Sequence, residues 1–493
     1  MEKTQDNTSL RMRVINGIAW NVFELLGSRG ISFVVKLILT QLLLPEHFGI
    51  IGMAVVFTGL INTINDLGMA AALVQFKQDR LLRIHYDTVF WLTTLLSLGT
   101  FILLVVAIGP FAAWFYNEPI LSLIIPAIGI SVFLSPLNLV HRVRLTKDLN
   151  FKSLGIISII SSIAGGVFAI ALALLGAGVW SIVAQSVIAT LVSIPLMWRT
   201  TQWWPRFQFS KDAVNDVFRI GVFDMLKRTF VFLTKNIDYL LIGRLLGADL
   251  VGIYTLAFLL TDTFRQQLMG VMNKVMFPVY GKLQSKLDEV KSYYVQIIKY
   301  NALIVTLFMT IFVFYASPLI HLLFGSRWEL ATFPLQALAI ASVIHAIGGT
   351  SDAVLRGIGR FDIDFKIYLL KTILITIPAF FVGVYYFGIN GASVAVVLHK
   401  LTSRIIYQFQ LKRLVGITER DIWKAFKPTM LAFLSTIPIA IIYNTYFEKS
   451  HFFLFLITVI LTGFVYSTTG LFLIRKEVKH IISFISQGQK SNG

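Results

Sequence analysis

The sequence contains no cysteine and few charged residues. Its 493 residues include no Cys, and Asp, Glu, Lys and Arg together make up 14% of the chain. The absence of cysteine excludes disulfide bonds, thiolate metal sites and thiol catalysis. Neither a G-x-x-x-x-G-K-[ST] phosphate loop nor an H-E-x-x-H metal motif occurs. The sequence therefore predicts no metal site, no catalytic residues and no bound cofactor, and it argues against an ATPase.

Apolar sequence, in contrast, is abundant. Hydrophobic residues make up 56% of the chain, and the mean hydropathy is +0.76. A helix that crosses a bilayer needs about 20 mostly apolar residues. The predicted fold class is therefore an all-α polytopic membrane protein with about fourteen transmembrane helices. The fourteen stretches are 15–42, 47–68, 86–108, 118–140, 153–176, 178–198, 217–244, 249–270, 296–317, 331–353, 364–386, 388–410, 424–445 and 451–475.

The net charge of +18 is distributed unevenly along this predicted topology. With the N-terminus inside, the predicted external loops hold only three cations, namely Arg244, Arg327 and Lys449. An excess of Lys and Arg in cytoplasmic loops is the positive-inside bias that sets membrane orientation. The charge therefore predicts cytoplasmic termini and a membrane partner, and it argues against a nucleic-acid partner.

An internal repeat organises the chain. A shift of 203 residues places Gly49 on Gly252 and Thr58 on Thr261, and R-x5-D-x2-F-K occurs at both 142–152 and 356–366, a shift of 214. Six spans separate equivalent positions, so the two lobes are predicted to run parallel. The predicted regions are an N-lobe at 1–198, a cytoplasmic linker at 199–216, a C-lobe at 217–410, two additional spans within 411–475 and a cytoplasmic tail at 476–493.

Two of the predicted spans, 15–42 and 217–244, carry charged faces. On a helix, five charged residues of span 217–244 fall within an arc of about 100°, namely Asp224, Lys227, Arg228, Lys235 and Asp238. Facing lipid, they would cost roughly 12–17 kcal/mol, so they are expected to line a polar pathway. Including neighbouring spans, the predicted cations are Arg29, Lys36, Lys227, Arg228, Lys235 and Arg265, and the predicted acids are Glu24, Asp224, Asp238 and Asp262.

These cations have two interpretations. They could bind an anionic head such as a pyrophosphate, because arginine offers paired donors and lysine a movable charge. Alternatively the acids neutralise them, for example Glu24 with Arg29 or Arg228 and Asp238 with Lys235. The acids are also candidates for proton or sodium coupling, with Asp224 preferred, and the sequence leaves the choice of ion open.

The repeated motif suggests a gating role at the cytoplasmic ends of the lobes. Asp148 lies near Arg142 in one copy, and Asp362 lies near Arg356 in the other. Each aspartate is predicted to brace the end of its lobe. The connecting loops are too short to hold an enzyme domain, which favours a secondary transporter that works by alternating access.

Two segments support a family resemblance. LPEHFGIIGMAVVFTGLINTINDLGMAAALVQ at 44–75 and WWPRFQFS at 203–210 resemble the polysaccharide transporter family, the Wzx-type flippases of the multidrug/oligosaccharidyl-lipid/polysaccharide (MOP) superfamily. The resemblance implies a MOP/MATE-like fold and export of an undecaprenyl-diphosphate-linked oligosaccharide. Transport would run from the inner to the outer leaflet of the bacterial cytoplasmic membrane, for O-antigen, capsule or exopolysaccharide synthesis. The implied partners are the polyprenyl-linked glycan, the bilayer and polysaccharide polymerase machinery.

Three alternatives remain at this point. A lipid II flippase would use the same fold. A cation-coupled multidrug antiporter would favour acids and aromatic residues in its cavity, which the excess of cations argues against. A non-transporting scaffold of a glycan-synthesis complex would give the charged faces no purpose.

Overall fold

The computed structural model describes residues 20, 23–24, 27–66, 69, 73, 82–211, 214, 228–447 and 452–475. Every regular element within these residues is a helix. Ten stretches of them are long and apolar enough to cross a membrane. The all-α, multi-pass class is thus confirmed, whereas the count of fourteen spans remains a prediction.

The chain forms two compact units, up to Gly252 and from Ile253 onwards. The predicted lobe boundaries at 198 and 217 remain a prediction. In the first unit α1 is helical over residues 27–42, and α7 comprises residues 228–235 and Ile237–Leu246. The helices between them are α2 (Pro45–Asp66), α3 (Arg83–Tyr116), α4 (Leu121–Lys147), α5 (Phe151–Leu174) and α6 (Val179–Thr201).

Helix α8 (Ala248–Lys282) begins in the first unit and continues into the second. The second unit then has α9 (Leu287–Phe324), α10 (Thr332–Gly348, followed by Ser351–Gly357), α13 (Glu419–Tyr446) and α14 (Phe452–Leu473). Between α10 and α13, the stretch Phe361–Val415 is interrupted at Gly388, with φ +60° and ψ −142°. Residues 361–387 are α11, and residues 389–415 are α12.

Equivalent positions of α2 and α8 confirm the 203-residue repeat. The two helices begin at Pro45 and Ala248. The hydroxyl of Thr58 donates to the Ala54 carbonyl over 3.0 Å, and that of Thr261 donates to the Ala257 carbonyl over 2.9 Å. Both the helix starts and the hydrogen bonds are therefore repeated at the predicted offset.

The two helices also meet in a symmetric contact. A Cβ on Gly49 would lie 1.7 Å from the carbonyl oxygen of Ala248, and one on Gly252 would lie 1.8 Å from that of Pro45. Each glycine thus faces the first residue of the other helix, as a local twofold relationship requires. Only glycine permits this approach, because any side chain would overlap backbone.

Further along the chain, the structure corrects the offset of 214. Leu149 (φ +55°) and Gly359 (φ +80°) occupy equivalent turns, 210 residues apart. At these turns the amide of Asn150 donates to Leu145 and that of Arg360 to Leu355, both over 2.8 Å. The two R-x5-D-x2-F-K motifs are therefore about one helical turn out of register, and Asp148 and Asp362 are not equivalent.

After α6, the chain is attached to the start of α3. The amide of Arg206 donates to Oδ1 of Asp87 over 2.9 Å, and the amide of Ser210 donates to the Thr88 hydroxyl over 3.1 Å. The indole of Trp91 donates to the Arg206 carbonyl over 2.8 Å. These bonds fix the path of the predicted linker because they satisfy its backbone groups.

Candidate functional site

Helix α1 is held in place by close packing on α5. A Cβ on Gly166 would lie 2.5 Å from Cγ2 of Val35, and one on Gly27 would lie 2.9 Å from Cδ1 of Ile159. A Cβ on Gly155 would lie 3.4 Å from Cβ of Glu24. Glycines on both helices thus allow side chains of the facing helix to pack against their backbone. The neighbouring Gly165 makes a similar close contact on its other side, where a Cβ would lie 2.4 Å from the Gln185 carbonyl oxygen of α6.

The predicted cations of α1 lie away from this packed face. Arg29 is exposed and Lys36 is partly exposed, although both lie in an apolar helix. The charge of Arg29 acts on Lys36, which places the two cations on neighbouring parts of the helix surface. The two cations therefore lie on one side of α1, about two helical turns apart.

Helix α7 packs on α2 and α3 in the same unit. A Cβ on Gly243 would lie 2.5 Å from the ring of Tyr116, and one on Gly59 would lie 2.6 Å from that of Phe232. Its two segments meet at Asn236, where the backbone leaves the helical range at φ −112° and ψ +16°. The break separates the cationic segment 228–235 from the mostly apolar segment that follows.

The predicted charges of α7 differ in their surroundings. Arg228 and Lys235 are exposed. Asp238 is only 4% exposed, and its Oδ1 accepts from the amide of Tyr239 over 2.9 Å at the start of the second segment. A carboxylate there is stabilised by the unpaired amides of a helix N-terminus. The predicted residues Asp224 and Lys227 lie outside the described residues.

On α8, the predicted cation and acid bind each other. Asp262 is 8% exposed, and its two oxygens accept hydrogen bonds from Arg265 and Gln266. This spacing of three and four residues places all three side chains on one face. Of the two interpretations for the cations, internal neutralisation thus applies to Arg265.

The predicted gating residues have different partners in the two units. Arg142 and Asp148 are exposed at the end of α4. In the second unit Arg356 forms ion pairs with Asp352 and Asp364, while Asp362 lies 3.3 Å from Nε of Arg360. Asp362 is therefore paired with Arg360 rather than with Arg356, and the gating role remains a prediction.

Sequence reasoning missed a set of polar contacts between α11 and α12. The ammonium of Lys371 donates to the Ser403 hydroxyl over 2.6 Å, and Thr376 contacts Nδ1 of His399 at 2.8 Å. Lys371 lies only seven residues inside the predicted span, where a lysine normally extends to the interface. The available signal was His399 and Ser403, which are four residues apart and share a helix face. Lys371 and Thr376 are five residues apart, a spacing that only the π-helical turn at Thr372–Thr376 brings to one face.

Three carboxylates lie near the contact between α2 and α8. Glu46 and Asp249 occupy the first turns of these helices, and Glu118 lies in the loop between α3 and α4. Partial burial and then the charges of Glu46 and Asp249 raise the pKa of the Glu118 carboxyl. The end of the first unit that carries the two glycine contacts is thus acidic.

Comparison with known proteins gives a consistent set of relatives. The profile of the family described as "Polysaccharide biosynthesis protein" matches residues 38–332. The lipopolysaccharide biosynthesis protein WzxC of Escherichia coli (strain K12) is 23% identical over 84% of this chain and 84% of its own length. The succinoglycan biosynthesis transport protein ExoT of Rhizobium meliloti (strain 1021) is 28% identical over 74% of this chain and 73% of its own.

Solved structures share the fold. The lipid II flippase MurJ, in an inward closed conformation, has a TM-score of 0.73 at 15% identity and covers 94% of this chain and 100% of its own. An inward-facing MATE family multidrug resistance transporter of the MOP superfamily has a TM-score of 0.63 at 16% identity, over 81% and 98% of the two chains. The predicted MOP/MATE-like fold is therefore confirmed.

Proposed function

Since this chain belongs to the polysaccharide biosynthesis protein family, we propose that it is a flippase for lipid-linked polysaccharide repeat units. It is a multi-pass membrane protein with the fold of MOP-superfamily transporters. WzxC, ExoT and the family description all connect this sequence with polysaccharide biosynthesis, and ExoT is named as a transport protein. The chain is a transporter, and its proposed cargo is an oligosaccharide on a polyprenyl diphosphate.

One observation carries the choice of cargo. Arg29, Arg228 and Lys235 are exposed on helices α1 and α7, which consist mostly of apolar residues. Against lipid these three charges would cost roughly 8–10 kcal/mol. An aqueous pathway that admits an anionic diphosphate removes that cost. Arginine can also bind phosphate oxygens in pairs.

Alternating access is the proposed mechanism, without ATP hydrolysis. The contact of α2 with α8 is the proposed outer closure, since backbone meets backbone at Gly49 and Gly252. Opening there requires only that two helix ends separate. The proposed direction is from the inner to the outer leaflet of a bacterial cytoplasmic membrane, with both termini in the cytoplasm and polymerase machinery receiving the product.

Coupling to a proton or sodium gradient is part of the proposal. Glu24 and Asp238 lie on the same helices as the exposed cations and could take over a cation once the diphosphate leaves. Asp262 is a weaker candidate because Arg265 and Gln266 already bind both of its oxygens. Asp224 stays the preferred acid of the sequence prediction.

Complementation tests this function. The full chain is expressed in a bacterial strain that lacks its own repeat-unit flippase, and surface glycan and lipid-linked intermediates are measured. We expect Arg29→Ala, Arg228→Ala and Lys235→Ala each to lower export by about tenfold or more. A tenfold loss corresponds to the free energy of about one charge-assisted hydrogen bond. Arg413→Ala, which removes an exposed cation at the end of α12, is the matched control.

The outcomes separate the candidates. Normal export by all three alanine variants, at wild-type abundance, contradicts the cationic pathway. Rescue of a lipid II flippase mutant, but of no polysaccharide strain, identifies the cargo as lipid II. Failure of the unmodified chain in every host, with the protein correctly inserted, refutes the flippase function.

A further inference from the structure

Helices α11 and α12 form a hairpin with a ladder of contacts. Near the turn, a Cβ on Gly383 would lie 2.6 Å from the Gly391 carbonyl oxygen. Deeper in the hairpin, Thr376 pairs with His399 and Lys371 with Ser403. At the far end, Tyr407 donates to Oδ1 of Asp364 over 2.7 Å. Polar contacts therefore follow one line through most of the hairpin.

Lys371 is a buried cation in this line. It is 5% exposed, so protein rather than lipid surrounds its side chain. Within the described part of the chain it forms no ion pair, and its ammonium bonds to the neutral Ser403 hydroxyl and lies 5.7 Å from the Tyr368 ring centroid. A neutral partner stabilises the ammonium less than a carboxylate does, which makes the neutral amine accessible.

Nearby carboxylates are engaged elsewhere. Asp352 and Asp364 act electrostatically on Lys371. However, Arg356 forms ion pairs with both, and Tyr407 also bonds to Asp364. The acids therefore moderate the cost of a charge at Lys371 without holding it in the charged form.

The backbone is distorted at the same place. A π-helical turn, Thr372–Thr376, begins directly after Lys371. The Thr376 hydroxyl lies 3.3 Å from the Lys371 carbonyl, and the Ser403 hydroxyl donates to the His399 carbonyl over 2.6 Å. Lysine, threonine, histidine and serine are thus linked in one hydrogen-bonded group. Such π-helical turns are frequent at functional sites.

The fold does not require these side chains. The equivalent hairpin of the first unit, 210 residues earlier, has Ser161, Gly166, Ala189 and Ser193 at the corresponding positions. That hairpin has its turns at the same positions, but it has a serine in place of Lys371 and an alanine in place of His399. A reason other than packing is needed for Lys371 and His399.

We propose that Lys371, assisted by His399, is a proton-binding site that couples transport to a proton gradient; this inference rests on the flippase function proposed above. In one state of the cycle the ammonium releases a proton to water on one side and becomes a neutral amine. In the other state the amine takes a proton from water on the opposite side. The charged or titratable groups around it are His345, Asp352 and Arg356 on α10, Asp364 on α11, Lys400, Arg404 and Tyr407 on α12, Tyr294 on α9 and Arg265 on α8.

Carboxylates lie near Lys371, whereas cations lie near the two histidines. The positive charges of Lys400, Arg265 and Lys371 act electrostatically on His345, and those of Lys371 and Lys400 act on His399. Positive charge is therefore concentrated around both imidazoles. A second proton on either ring would add to that charge. Lys371 is therefore the group that changes its charge, and His399 serves as its hydrogen-bonding neighbour.

The test uses the purified full chain in liposomes with lipid-linked oligosaccharide extracted from the complemented strain. The leaflet distribution of this probe is measured with and without a pH gradient. If one proton exchanges for one cargo, a gradient of one pH unit shifts the distribution by about tenfold. We expect this shift for the unmodified protein.

The decisive variant is Lys371→Arg. Arginine keeps the positive charge but is not deprotonated in proteins. We expect Lys371→Arg and Lys371→Met to redistribute the probe equally with and without the gradient, and His399→Gln to weaken the response. Lys366→Arg, at an exposed position on the same helix, is the matched control and is expected to keep the tenfold shift.

Each outcome has one meaning. A gradient response of wild-type size in Lys371→Arg, at normal abundance and monodispersity, refutes the proton site. Gradient-independent redistribution by the unmodified protein also refutes it but leaves the flippase function standing. No redistribution of the probe by the unmodified protein contradicts the flippase function itself.

Discussion

The two helical hairpins, α5–α6 and α11–α12, share a backbone but differ in chemistry. Each is preceded by a turn with positive φ, at Leu149 or Gly359, and reverses at a glycine, Gly178 or Gly388. The glycine angles agree closely, with φ +57° and ψ −129° in one and φ +60° and ψ −142° in the other. Turn geometry therefore determines these hairpins, and their facing side chains are free to diverge.

The facing side chains differ at several corresponding positions along the two hairpins. Leu154 and Met197 belong to one apolar cluster in the first hairpin, whereas their counterparts Asp364 and Tyr407 form a hydrogen bond. Higher up, Gly166 lets α1 approach, while its counterpart Thr376 contacts a histidine. The first hairpin thus serves as a packing surface for α1, and the second contains a polar group of its own.

The largest expected effect on stability comes from introducing the counterparts of Asp364 and Tyr407 into the α5–α6 hairpin. In Leu154→Asp a carboxylate replaces a leucine that is 7% exposed and packs against apolar residues. The first hairpin has Thr146 where the second has Arg356, so the ion pair between Arg356 and Asp364 has no counterpart there. We expect a loss of about 3–5 kcal/mol, measured as thermal unfolding in detergent.

Two further variants sharpen that result. Adding Met197→Tyr supplies the hydroxyl that Asp364 uses, and should recover about 1 kcal/mol. Ser153→Asp puts the same charge one residue earlier, in the first turn of α5, where the helix N-terminus favours an acid. Wild-type stability of Leu154→Asp would mean that the two hairpins are not built on the same positions.

A smaller effect is expected near the turns, where the hairpins differ in how closely their helices approach. A Cβ on Gly391 would lie 1.9 Å from the Gly383 carbonyl oxygen. The first hairpin has Ala173 and Ser181 at the corresponding positions. We expect Gly391→Ala to cost about 1–3 kcal/mol of unfolding free energy because backbone must move.

Gly99→Ala is the control for this substitution. It adds the same methyl group to a helix at a position with no atom within 4 Å of the new Cβ. Its unfolding temperature should equal that of the unmodified protein or exceed it slightly, since alanine is the better helix former. Equal losses in both variants would attribute the effect to helix propensity rather than to close packing.

The sequence analysis predicted the class and the repeat, but neither the ion pairs within helices nor the contacts between distant residues. Asp262 with Arg265 and Asp352 with Arg356 are three or four residues apart, so helical geometry alone brings them together. Asp364 and Tyr407 are 43 residues apart, and their contact depends on where the hairpin turns. The repeated R-x5-D-x2-F-K motif misled the alignment because a shift of four residues nearly preserves a helical face.

The smallest expected effect concerns the region where the two copies remain alike. Glu46 and Asp249 are 203 residues apart and both lie in the first turn of their helices. Burial, and then these two charges, raise the pKa of Glu118 above its ordinary value of 4.5. Ionising Glu118 in the folded protein is thus unfavourable. The resulting loss of stability is absent below the ordinary pKa and complete above the raised pKa, so stability falls as the pH rises through that window.

Glu118→Gln removes this loss, because the glutamine side chain stays neutral at every pH. We expect the variant to unfold at a higher temperature than the unmodified protein at neutral pH, and at the same temperature well below pH 4.5. The measurement is the unfolding temperature of both proteins across that range. Asp288→Asn, which removes an exposed charge at the start of α9, should give no such gain. A lower unfolding temperature of Glu118→Gln at neutral pH would show instead that the Glu118 carboxylate is bound by a cation, and the two copies would then differ at this end as well.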